Sequence, residues 1–224
     1  MIKLEKSLPF LDFERAECVR INCINELYSL EALFWIQDGD RLYIAMLDGN
    51  MTIFNNSGNL EELSEFLKVL APSSVFSDAD TLNFLFGEDF NETNVYSIKP
   101  SAKEKQKGDE FSSGIIYKLF KEAGLTLPDY PHFAVDFCKR INRGRANCFY
   151  IKDCAAAFSV NSGEYAVING IASNKKGMGS RCLTGILSKN CGKTVFAVCE
   201  DSLKPFYEKN GFCFKYKSGY WVKK

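Results

Sequence analysis

The chain has 224 residues, 46% of them apolar and 14% aromatic, enough for one large core or two small ones. Its 28 basic residues balance its 28 acidic ones, so no net field draws in nucleic acid or an anionic membrane surface. The apolar runs are short and strand-like, and the opening MIKLEKSLPFLDFERAE is charged throughout, which sets aside a signal peptide or a membrane span and predicts a cytoplasmic protein. Nine cysteines, none in a C-x-x-C pair, fall mostly inside apolar segments and read as reduced, small hydrophobes. The one histidine, His132, follows Pro131 where a helix begins. A histidine-based hydrolase would have to rest on it alone, and with no zinc spacing in view no metal is expected.

In chain order, residues 41–54 alternate on either side of Asp48-Gly49-Asn50 and predict a hairpin. Asn59 is placed to cap a helix over 60–70, with apolar residues at 60, 63, 66, 67 and 70 on one face. Next come a strand over 74–77, a helix over 80–86 and a strand over 94–98. Residues 99–114, KPSAKEKQKGDEFSSG, are polar and read as an exposed, solvated linker. The expected division is a first half over 1–100, a linker over 101–113 and a second domain over 114–224. Helical spacing marks 115–123 and 133–142, with Gly124 and Gly144 as stops, and Arg140, Arg143 and Arg145 suit the negative end of the second helix. Three strand candidates, CFYIKD, CAAAFSV and EYAVINGIA, then form a meander.

The meander ends in Ser173–Gly179, a basic turn with two glycines, and then an amphipathic helix and an apolar strand over 194–198. Free amides of the first helical turn, the helix dipole, Lys175 and Lys176 together favour a phosphate at Gly177, Met178, Gly179 and Ser180. An ordinary strand-to-helix loop with a glycine hinge is the other reading of the turn alone. A short helix over 201–208 and a final aromatic strand complete the order.

Strand, glycine turn, helix, strand, then a helix carrying Phe206-Tyr207-Glu208-Lys209-Asn210-Gly211-Phe212, resembles the coenzyme-A-binding half of the GNAT acyltransferase superfamily over roughly residues 111–224. Its glycine motif, Gln/Arg-x-x-Gly-x-Gly/Ala, is met at Gly177 and Gly179 but departs at Asn174, where an Arg or Gln helps hold the pyrophosphate. The resemblance implies an α/β fold with a mixed sheet flanked by helices. It implies acetyl-CoA as co-substrate, held by Ile171, Ala172, Ser173, Asn174, Lys175, Lys176, Gly177, Met178, Gly179 and Ser180. The pantetheine arm would lie along Asn169–Ser173, with the Ile171 and Ala172 amides polarising the thioester carbonyl. Tyr207 matches the family tyrosine that protonates the leaving thiolate. Glu164 and Glu200 are the carboxylates nearest in sequence for a base, Glu164 also reading as a solvated turn residue and Glu200 as a helix cap.

The first half repeats this order without its chemistry. Val75-Phe76 and Asp80–Phe86 align with Val195-Phe196 and Asp201–Tyr207, while Ser57-Gly58-Asn59 stands where the second copy has its basic glycine turn, and Phe86 where it has Tyr207. The expectation is a tandem pseudo-repeat with a degenerate, structural first half. The function expected is transfer of an acetyl group to a primary amine on a small molecule or peptide, by a monomer or homodimer. The alternatives are a non-catalytic acyl-CoA-binding or interaction module on the same scaffold, and a nucleotide-phosphate protein, for which no nucleotide motif is present.

Overall fold

The computed structural model describes residues 1–101 and 106–224. The elements run β1 (Ile2–Glu5), α1 (Ala16–Tyr28), β2 (Leu33–Gln37), β3 (Leu42–Leu47), β4 (Asn50–Asn55), α2 (Leu60–Leu70), β5 (Ser74–Asp78), α3 (Ala79–Phe86) and β6 (Asn91–Ile98). Then come α4 (Ser113–Glu122), α5 (Tyr130–Asn142), β7 (Ala146–Ile151), β8 (Ala155–Ser162), β9 (Tyr165–Ser173), α6 (Met178–Lys189), β10 (Thr194–Cys199), a short 3-10 helix (Asp201–Leu203), α7 (Lys204–Lys209) and β11 (Cys213–Val222). The two halves share one series, an antiparallel three-strand meander, a helix, a parallel strand, a short helix and a further strand. This is the expected mixed α/β architecture with an internal repeat.

The chain divides into two compact units whose limits differ from the sequence boundaries at 100 and 114. Unit 1 is Met1–Tyr96 with Val198–Pro205 and Phe214–Lys224; unit 2 is Ser97–Ala197 with Phe206–Cys213. The physical reason is strand order. In unit 1 it is β1-β2-β3-β4-β5-β11-β6, so β11, expected in the second domain, stands between two strands of the first half. It pairs antiparallel with β5, Ser218 opposite Asp78 and Val222 opposite Ser74, and its Trp221 stacks on Phe86 at 4.4 Å.

Unit 1 buries both faces of its sheet. Alternation along β2, β3 and β4 sends Phe34, Tyr43 and Phe54 to the cluster with Cys18, Ile21 and Tyr28 of α1, and Trp35, Ile44 and Ile53 to the cluster with Leu63 and Leu67 of α2. The hairpin turns where expected, with positive φ at Asp48 (51°) and Gly49 (76°), and Asn59 caps α2 by accepting from the Glu62 amide at 3.0 Å.

Unit 2 has strand order β10-β9-β8-β7. On one face α5 stacks Phe137 on Phe158 of β8 at 4.9 Å. On the other, α6 comes close enough that a Cβ on Gly185 would sit 2.3 Å from the Phe149 ring, so glycine is what permits this helix-to-sheet approach. Residues 102–105 of the expected linker lie outside the described residues. Its later part is exposed, as expected, and is tied down at one point: the Asp109 amide donates to Tyr150 O at 2.9 Å, and the Lys152 amide donates to Asp109 Oδ2 at 2.7 Å, so this stretch covers part of the edge of β7. His132 is exposed in the first turn of α5, and Asp129 accepts from both its amide and its ring.

Candidate functional site

The site is built on a fault in β9. Its ladder with β8 runs from Ser173 opposite Ala155 to Gly170 opposite Phe158, then resumes at Ile168 opposite Ser159, leaving Asn169 as an extra residue in a bulge. On the other side, the parallel ladder with β10 covers only Tyr165–Ile168. Beyond the bulge, Gly170–Ser173 keep β8 on one edge and have no ladder to β10 on the other. The backbone groups on that edge are the docking points of an added extended strand. Successive residues turn their N–H groups to opposite edges, so one of the two amides of Ile171 and Ala172, not both, faces this opening.

The glycine turn continues directly from that edge. Ser173 Oγ accepts from the Lys175 amide (3.3 Å) and donates to Lys175 O (2.8 Å), tightening the turn. Gly177 has φ +84°, the left-handed region that glycine enters without penalty, and acts as the N-cap of α6 with no side-chain cap. The amides of Met178, Gly179 and Ser180 have no acceptor within the helix. Met178 donates to Lys175 O at 3.2 Å, which leaves those of Gly179 and Ser180 at the positive end of the dipole. No acidic residue occupies this first turn, and Lys175, Lys176 and Arg181 are exposed around it. This donor set fits a pyrophosphate.

Helix α7 is docked on the same turn. Asn210 donates from Nδ2 to Ser180 Oγ (3.2 Å) and to Phe206 O (2.7 Å), and the Phe206 ring lies 3.6 Å from where a Cβ on Gly179 would be. Tyr207 is 3% exposed, flanked edge-on by Phe206 and Phe212 at 5.1 and 5.3 Å. The sequence marks Phe206 and Asn210 as part of a motif but does not show that they fix α7 to α6, because that contact joins residues 30 positions apart.

Three expected residues stand elsewhere. Asn174 donates its amide to Cys154 O at 3.0 Å, and it lines a cleft of about 530 Å³ with Asp109, Glu110, Glu122, Asp153 and Tyr150. Its backbone is committed to holding the β7–β8 turn, so the cradle begins after it. Glu164 is exposed in the turn before β9, its carbonyl accepting from the Thr194 amide at 2.9 Å. Five residues of extended strand, roughly 17 Å, separate it from the bulge, and the structure does not bring it to the site. Glu200 belongs to unit 1, as the residue before the short 3-10 helix, without a side-chain cap bond.

The corresponding parts of unit 1 are cross-bridged by side chains. Parallel pairing of β4 with β5 stops at Thr52–Phe76, and side chains bridge the strands beyond that point: Ser77 Oγ donates to Ile53 O at 3.1 Å and Asn55 Nδ2 to Thr81 Oγ1 at 3.0 Å. The amides before α2 are taken as well, Gly58 donating to Asn55 Oδ1 (2.8 Å) and Asn59 to Gln37 Oε1 (2.6 Å). A cleft of about 670 Å³ lined by Asn55, Leu60, Asp78 and Thr81 remains beside them, but the strand gap is bridged and the amides before the helix are engaged.

No protein-family model and no curated protein sequence matches the chain. Solved structures match its fold. A GCN5-related N-acetyltransferase from Kribbella flavida superposes with a TM-score of 0.55 at 10% identity, over 80% of this chain and 85% of that one. Another from Sphaerobacter thermophilus gives 0.52 at 14%, over 85% and 79%. A tandem GNAT protein from the clavulanic acid biosynthesis pathway gives 0.53 at 12%, over 90% and 86%, and its tandem form parallels the two halves seen here. The fold is that of the GCN5-related N-acetyltransferases. No helix among the described residues is long and apolar enough to cross a membrane, and none of their His, Cys, Asp and Glu side chains form a group of three or more able to hold a metal ion.

Proposed function

We propose that unit 2 transfers an acetyl group from acetyl-CoA to a primary amine, and that unit 1 is structural. One observation carries the reading: a strand edge opened by a bulge runs straight into an uncapped, basic helix N-terminus, so one extended ligand ending in a pyrophosphate satisfies both. Gly177–Ser180 with Lys175 and Lys176 hold the pyrophosphate, and Asn169–Ser173 pair with the pantetheine arm. Whichever of the Ile171 and Ala172 amides faces the opening donates to the thioester oxygen, an interaction that strengthens as charge develops there.

The neutral amine attacks the carbonyl carbon. A C–N bond forms, the C–S bond breaks, and the thiolate leaves with the electron pair. Tyr207 gives this sulfur a proton, and the proton released by the new amide nitrogen restores the phenol through water. Glu164 has no part in this scheme because of its distance. The cleft beside Asn174, with four carboxylates against Lys118 and Lys152, suits an acceptor that carries positive charge, on a small molecule or a peptide.

Calorimetric titration with acetyl-CoA, with ATP and NAD as controls, tests the reading. Saturable binding of acetyl-CoA alone, lost on replacing Gly177 and Gly179 by valine, is the expected result; no binding at millimolar ligand overturns it. Tyr207→Phe is expected to lower turnover about 100-fold with CoA affinity retained. Binding without turnover on any amine would favour the acyl-CoA-binding module.

A further inference from the structure

We infer that Phe120 and Leu125 gauge the acyl group, limiting this site to acyl chains of two or three carbons. The inference rests on the acyltransferase reading above and deepens it. Gly170 is the first residue after the bulge, on the edge where the thioester would lie, and its missing side chain faces α4. A Cβ there would stand 2.9 Å from Phe120 Cε2, 3.2 Å from Phe120 Cζ and 3.4 Å from Leu125 Cδ2. The wall therefore lies in contact with the bare backbone, and Gly170 has no room for a side chain of its own.

The two parts of the wall differ in stiffness. Phe120 is 2% exposed, in the core under α4, and its ring cannot swing out without opening a cavity. Leu125 is half-buried in the connection between α4 and α5, beyond the left-handed turn at Gly124 (φ +82°). Its own amide returns to Phe120 O at 3.0 Å, so the loop is pinned back onto the helix and holds the Leu125 side chain over Gly170. An acetyl methyl ends short of this wall. A butyryl or longer chain leaving the edge at Gly170 has to displace Leu125, the more yielding member.

Titration of the full-length protein with free CoA and with acetyl-, propionyl-, butyryl- and hexanoyl-CoA tests this, each affinity expressed relative to free CoA. The wild type is expected to lose affinity from butyryl onward. Leu125→Ala is expected to reverse that trend, each methylene beyond propionyl then adding about fourfold. Leu125→Trp is expected to weaken acetyl-CoA at least tenfold relative to free CoA, and supplies the test should the alanine variant fold poorly. A chain-length profile that is the same in wild type and both variants overturns the gauge while leaving the acyltransferase intact. Failure of the wild type to bind any CoA species overturns both.

Discussion

At the residue scale, the most unusual group in unit 1 is Glu17. It is fully buried, it accepts from Tyr216 Oη at 2.7 Å and from Arg15 Nε at 3.4 Å, and its Oε1 has no partner. Burial raises its pKa above the ordinary carboxylate value, and Arg15 and Tyr216 offset this only in part. An acid whose folded pKa is raised stabilises the fold most below its unfolded pKa, near 4.5, and this contribution is lost as pH rises through the folded value. Glu17→Gln removes the titration. The unfolding free energy of this variant minus that of the wild type should therefore climb from pH 4 to pH 8 in denaturant melts. A difference that stays flat would mean that the carboxylate is ionised without cost.

At the element scale, α6 depends on one missing methyl group. Gly185 faces Phe149, 3% exposed and hemmed in by the sheet, with ring atoms 2.3–2.4 Å from where a Cβ would be. Gly185→Ala raises intrinsic helix propensity, yet the overpacking should win and destabilise the protein by about 1–3 kcal/mol. An increase in the urea midpoint would show that Phe149 yields freely. The same helix shows what periodicity reveals and what it hides. α2, α6 and the β3–β4 hairpin are amphipathic or alternating, and the limits of α2 and of the hairpin are readable within a residue. α1 is invisible to this kind of reading because some of its polar residues are turned inward: buried Asn22 holds both Leu11 backbone groups at 2.9 Å, and half-buried Asn25 does the same for Leu8 at 3.1 and 2.8 Å. Within the candidate site, the glycine turn is legible because the backbone demands glycine there, whereas the bulge at Asn169 leaves no mark in composition. Glu164 looks close only because sequence distance ignores how far an extended strand travels.

At the scale of the whole molecule, the placement of β11 couples the two ends of the sequence. Thr93 Oγ1 and Ser218 Oγ are 2.9 Å apart and buried, and Tyr216 Oη accepts from the Ala16 amide at 2.9 Å. A fragment of residues 1–98 lacks the strand between β5 and β6 and is expected to show no cooperative thermal transition by circular dichroism. A sharp transition in the isolated fragment would mean that β5 and β6 can close on each other.

Synthesis on the ribosome is directional, and here direction matters. Residues 99–212 must be made after β6 before β11 begins, so at ordinary translation rates the nascent first half waits roughly 6–20 s with two strand edges unpaired. During that interval β5 and β6 are open to pairing with neighbouring chains, and a holdase that covers bare strand edges would find its client there. The order of the strands thus sets a delay between the making of the first half and the closing of its sheet.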